Sequence, residues 1–167
     1  MAATEHAKQQ KNDTREFITT AILQLLQKNQ LSDLTISKVC TRAGISRMAF
    51  YRNFDSLDDV LHDYYHSKLK MEFDILNSDN DEAKLQSHQA YFDRFSDDLI
   101  LAANRGFEHI TQAIFISETE KFFDNVEDKY WVTFIATGTY SVWKKWILEG
   151  KKEPFEKIHQ LIATFTN

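Results

Sequence analysis

Arg47 and Tyr51 lie four residues apart, one helical turn, with Ser46 immediately before them as a candidate N-cap. On one exposed face, this set suits a nucleic acid. An arginine forks onto the O6 and N7 of guanine or onto a phosphate, and the free N–H groups at a helix start favour phosphate. Other groups have weaker claims. His62 and His66 are four apart on a helix beside Asp58, Asp59 and Asp63, a spacing that can put two imidazoles on one metal, but no third ligand follows. A solvated helix face is expected there, and no metal. The single cysteine, Cys40, falls on the inner face of its helix and is read as a buried, inert thiol. His88, His109 and His159 are isolated. Asp97 and Asp98 are read as a solvated face or caps. No Gly-rich phosphate loop, Gly-x-Ser-x-Gly or His-Glu-x-x-His occurs, so an enzyme is not expected and no cofactor is called for.

The elements that must position Arg47 and Tyr51 are short helices. After Asp13 or Thr14, Phe17, Ile18, Ala21, Ile22, Leu25 and Leu26 recur at helical spacing. Residues 1–12 are polar and are expected to fray. Thr35 is a plausible N-cap for a short helix whose face is Ile36, Val39, Cys40 and Ala43. Gly44 then stands where a left-handed C-cap is wanted, and Ser46 starts a third helix over Arg47–Phe54. Helix, glycine turn, helix is the arrangement of a helix-turn-helix. Ile36, Val39, Ile45 and Phe50 are expected to pack inward, as is Phe54 one turn beyond Phe50. Ser56-Leu57-Asp58-Asp59 resembles a capping box and opens a long helix with Leu57, Val60, Leu61, Tyr64, Lys68, Met71, Ile75 and Leu76 on one broad face.

Residues 77–82 read as a loop. Helical spacing resumes over 83–104, with a break expected near Ser96, and continues over 107–123 and 127–149. Pro154 suits the first turn of a last helix carried by Phe155, Ile158, Leu161, Ile162 and Phe165. About nine helices and no strand of useful length make the chain all-α. Two parts are expected: a helix-turn-helix head over 1–56 and a helical body over 57–167.

Composition agrees. The 167 residues hold 43% apolar residues, with only 4 glycines and 1 proline, which argues against disorder and against a turn-rich sandwich. One cysteine excludes an intramolecular disulfide framework. The polar first 20 residues predict no secretory leader and no long apolar run predicts a membrane span, so a cytoplasmic protein is expected. The net charge of −5 hides an asymmetry: residues 1–56 carry eight Lys/Arg against five Asp/Glu, whereas 57–167 carry twelve against twenty. A basic head on an acidic body fits a nucleic-acid partner.

Leu34-Thr35-Ile36, Ala43-Gly44-Ile45-Ser46-Arg47 and Phe50-Tyr51-Arg52-Asn53-Phe54 together resemble the DNA-binding domain of TetR-type transcriptional regulators. The resemblance covers about residues 14–60. Farther on, Trp146-Ile147-Leu148-Glu149-Gly150 followed by Pro154 resembles the end of the penultimate helix in one regulator-type C-terminal domain. The resemblance makes the head over 1–56 a DNA-binding domain and the body over 57–167 an effector-binding and dimerisation domain. It implies a homodimer that reads a near-palindromic operator through two recognition helices. It implies phosphate contacts from Thr35, Tyr51 and Asn53, and base contacts from Ser46, Arg47 and Met48. Ala49 stands where relatives often have Thr, and Leu57 where they often have Lys. Loss of that lysine removes a phosphate contact and lowers the salt dependence.

The same resemblance implies a repressor released by a small apolar or amphipathic effector, which by linkage binds the DNA-bound state more weakly. Sequence does not separate pocket-lining aromatics from core; Phe73, Tyr91, Phe95, Phe115 and Tyr140 are the candidates for lining. For the dimer interface the candidates are Gly138, where glycine inside a helix invites a close approach, and Trp143, Trp146, Ile147 and Phe155. The competing readings are a small helical enzyme or carrier, and a helical protein-interaction module or regulator with no small-molecule effector whose DNA contact is secondary.

Overall fold

The structure is a computed structural model that describes residues 2–76 and 95–166. The described residues are all-helical, with eight α-helices and no strand. In chain order they are α1 (Ala2–Leu26), α2 (Ile36–Ala43), α3 (Arg47–Tyr51), α4 (Leu57–Leu76), α5 (95–105), α6 (Glu108–Phe122), α7 (Lys129–Leu148) and α8 (Phe155–Thr166). A single 3-10 turn, Leu31–Asp33, joins α1 to α2. The loop expected at 77–82 lies outside the described residues.

Local chemistry sets most of the boundaries. Thr35 Oγ1 accepts from the Lys38 N–H (3.2 Å) and starts α2. Gly44 ends it with φ +69°, ψ +30°, a left-handed C-cap that glycine adopts without a Cβ penalty. Ser46 Oγ accepts from the Ala49 N–H (3.1 Å) and starts α3. The Ser56 hydroxyl accepts from the Asp59 N–H (3.1 Å) while the Asp59 carboxylate accepts from the Ser56 N–H (2.9 Å), a complete capping box with Asp in the Glu position. Asp128 caps α7 by accepting from the Tyr130 and Trp131 N–H groups.

Four boundaries or faces differ from the sequence reading. Helix α1 runs back to Ala2 instead of fraying before residue 13, because Ala, Glu, Lys and Gln dominate residues 2–11 and are strong helix formers. On the same helix Phe17 is exposed, and Ile18, Ala21, Ile22 and Leu26 form the buried stripe. Helix α3 ends at Tyr51 rather than Phe54. On α4 the buried stripe is Val60, Leu61, Tyr65 and Leu69, with Met71 exposed. Tyr65 takes the inward position because its ring stacks on Phe107 (5.8 Å between centroids). Ser96 lies in the 95–105 helix, and residues 83–94 of the helical stretch expected over 83–104 lie outside the described residues.

The core is continuous. Ile18, Ile22 and Leu26 of α1, Val39 and Cys40 of α2, and Phe50 and Phe54 pack in one cluster with Leu61 and Tyr65 of α4. That cluster runs on through Phe107, Ile114 and Trp143 to Ile158. Helix α4 bridges the ends of the molecule, packing on α1 on one side and on α6 on the other. No helix among the described residues is long and apolar enough to cross a membrane.

Candidate nucleic-acid interface

Helix α3 is held from below and bare above. Phe50 is fully buried beneath it, packed on Phe54 (6.2 Å) and edge-on against Tyr51 (5.7 Å). Ile36 and Ile45 pack partly buried against the same core, as the spacing predicts. Ser46, Arg47, Met48 and Tyr51 remain exposed; Met48 shows 66% of its surface and Tyr51 48%. Met48 and Tyr51 therefore stand on the outer side of α3, beside Arg47. Thr35, at the start of α2, is exposed as well.

Residues 34–54 contain four basic residues, Lys38, Arg42, Arg47 and Arg52, and no acidic one. Three of the four are engaged within the chain. Lys38 Nζ donates to the Asp33 carbonyl (2.8 Å), Arg42 Nε to Gln24 Oε1 (2.8 Å), and Arg52 Nη2 to Met48 Sδ (3.4 Å). Arg47 makes no hydrogen bond or ion pair among the described residues and is exposed. Its charge is felt by Cys40: burial pushes that thiol up, and Arg47 pulls the other way. Cys40 is buried, as its place on the inner face of α2 requires.

Asn53 departs from the expectation. It is half-buried, and its Nδ2 donates to the Ala49 carbonyl (2.8 Å), so the amide closes the carboxyl end of α3 instead of reaching outward. Its Oδ1 is buried. The Asn53 carbonyl accepts from Arg15 Nη1 (2.8 Å), and Arg15 Nη2 meets the Asp63 carboxylate (2.7 Å). Arg15 carries no periodicity signal, being one charged residue on a half-exposed helix face, and the sequence reading missed it.

The remaining candidates divide. The rings of His62 and His66 stack (5.6 Å, 10° between planes), and His66 Nε2 faces Glu118 Oε1 at 3.2 Å. Among the described residues no three His, Cys, Asp or Glu side chains are grouped to hold an ion. Of the pocket candidates, Tyr91 and the Phe73 side chain lie outside the described residues. Phe95, Phe115 and Tyr140 are buried. Phe115 and Tyr140 pack on one another (5.6 Å), and none of the three lines the surface clefts of about 430, 410, 300 and 110 Å³. Tyr140 reaches a partly exposed ion pair: its hydroxyl points to Glu108 Oε1 (3.4 Å), which also takes Lys144 Nζ (2.6 Å).

The interface candidates need correction. Trp143, Trp146, Ile147 and Phe155 are interior side chains of the single chain. Trp143 stacks on Phe155 (5.4 Å), and Trp146 Nε1 donates to the Glu153 carbonyl (2.7 Å). Phe155, at the start of α8, covers Trp143 and Trp146 within the same chain, so the four side chains do not face the surface of the protomer. Gly138 does lie on an open face. It lines an apolar groove of about 110 Å³ with Phe134, Val142, Leu161 and Phe165, and a Cβ built on it meets nothing within 4 Å.

No family model matches the chain, and no curated protein matches it.

Proposed function

We propose that the chain is a sequence-specific DNA-binding transcriptional regulator of the TetR type, working in the cytoplasm as a homodimeric repressor on a near-palindromic operator. The observation that carries the reading is the outer side of α3. There an unpaired Arg47 stands beside exposed Ser46, Met48 and Tyr51, in a segment with four basic residues and no acidic one. A lone exposed guanidinium next to an exposed thioether matches what a major groove presents, guanine N7 and O6 beside a thymine methyl. Thr35 and Tyr51 keep hydroxyls for phosphate. Asn53 shapes the helix end and is left out of the contact set.

The second copy is assigned to the α7–α8 groove. Phe134 is 63% exposed and Phe165 54% exposed, large apolar side chains that a monomer gains nothing by presenting to water. The small amphipathic effector rests on the family resemblance; Phe95, Phe115 and Tyr140, the described candidates for its pocket, are packed core side chains.

The test is selection of random duplex DNA by the purified protein at about 0.15 M salt, a condition that must be fixed because phosphate contacts make affinity salt-dependent. Enrichment of an inverted repeat by wild type and not by Arg47→Ala is the expected result. Enrichment of nothing, with the variant indistinguishable from wild type, overturns the reading.

A further inference from the structure

The guanidinium of Arg15 makes three contacts that tie α1 to the residues just after α3 and to α4. From α1 it donates through Nη1 to the Asn53 carbonyl just beyond α3 (2.8 Å), and through Nη2 to Asp63 on α4 (2.7 Å). Its plane also covers the Phe54 ring, 4.1 Å from the centroid. A planar fork makes such a double bond with fixed geometry, and a lysine does not. Asn53 passes the hold onward, since its amide closes α3 at the Ala49 carbonyl while Ser46 caps the Ala49 N–H. On the other side, Asp63 lies one turn before His66, which meets Glu118 of α6. Among the described residues Arg15 is also the one arginine or lysine lining a cleft of about 410 Å³ between α1, the segment after α3 and α4; Asp55, Asp59, Asp63, His62 and His66 line it too. Asp59 is occupied in its capping box.

We infer that Arg15 is a positioning residue for the recognition helix: it fixes the angle of α3 against α4 and so sets the distance between the two recognition helices of a dimer. The inference rests on the DNA-binding reading above. An exposed ion pair alone contributes little. The joint hold on a backbone carbonyl, a carboxylate and a ring removes freedom that operator binding would otherwise have to remove. That cost falls only on binding both half-sites together. One head on one half-site can settle at any angle to the body.

The experiment selects operators from a library of inverted repeats with varied spacers, using wild type, Arg15→Lys and Asp63→Asn. Affinity for the best full site and for a single half-site is then measured for each protein. Arg15→Lys keeps the charge and loses the fork; Asp63→Asn weakens only the link to α4, by removing its charge. Expected for both variants is a broadened spacer distribution, a full-site affinity lower by about tenfold, and a half-site affinity nearly unchanged. A wild-type spacer distribution in both variants overturns the inference. So does an equal fall in half-site and full-site affinity, which marks general damage to the head. If wild type itself selects no inverted repeat, the DNA-binding reading falls, and this inference with it. Should Arg15→Lys fold poorly, Asp63→Asn decides.

Discussion

His66 Nε2 and Glu118 Oε1 stand 3.2 Å apart, and the contact ties α4 to α6 in the middle of the molecule. Burial works to raise the Glu118 carboxyl, but the ammonium of Lys121 and the imidazole of His66 outweigh it and hold it below its ordinary value of 4.5. A carboxyl with a lowered folded value stabilises the fold above its unfolded value and loses that stabilisation as pH falls through the folded one. The melting temperature of wild type is therefore expected to fall below about pH 4.5 faster than that of Glu118→Gln. At pH 7 the variant melts lower, and the gap closes in acid. A gap independent of pH, read by circular dichroism, counts against this account.

Gly44→Ala isolates backbone strain. The position has φ +69° and a new Cβ meets no atom within 4 Å, so the cost is conformational alone. About 1–2 kcal/mol is expected, read as a lower urea midpoint with an unchanged m-value. A midpoint equal to wild type would show that the turn re-forms without the left-handed residue.

Trp143→Ala and Phe134→Asp separate the interior of one chain from the surface offered to a second. Trp143 is covered by Phe155, so its truncation costs about 3–5 kcal/mol and leaves the native mass unchanged. Phe134 is exposed, so a charge there leaves the protomer folded and converts dimer to monomer. Sedimentation equilibrium and chemical denaturation of both variants check the pair. The opposite pattern would return the tryptophans to the interface.

Ser56 and Asp59 cap each other's N–H groups at the start of α4. Replacing either with alanine is expected to cost about 1 kcal/mol. The two losses should add to more than the double variant shows, because each removes part of one reciprocal unit. Strict additivity in urea melts would mean that the two bonds act separately.

How legible the protein is in its sequence depends on the range of the interaction. Thr35, Gly44, Ser46 and Ser56 do their work within four residues, and each was readable as a cap or turn. The inward face of the helix-turn-helix was readable too, since Val39, Cys40 and Phe50 follow helical spacing. Trp143 and Phe155 show the limit. Periodicity says that a helix face is covered, not by what, and here the cover is α8 of the same chain. Tyr65 shows another limit: its inward turn depends on Phe107, some forty positions away. Arg15 is the clearest omission. Its three contacts converge only once α1, α3 and α4 are assembled.

The unbroken core decides how far this molecule can be taken apart. Leu61 and Tyr65, beyond the helix-turn-helix in sequence, belong to the same packed cluster as Ile18, Val39 and Phe50. A fragment cut at residue 56 would leave a hollow where those two side chains belong. A piece that keeps this packing therefore has to reach past Tyr65. A chimera that exchanges the helix-turn-helix between scaffolds is expected to keep its packing only if spliced inside α4, beyond Tyr65, and not at the turn before the helix.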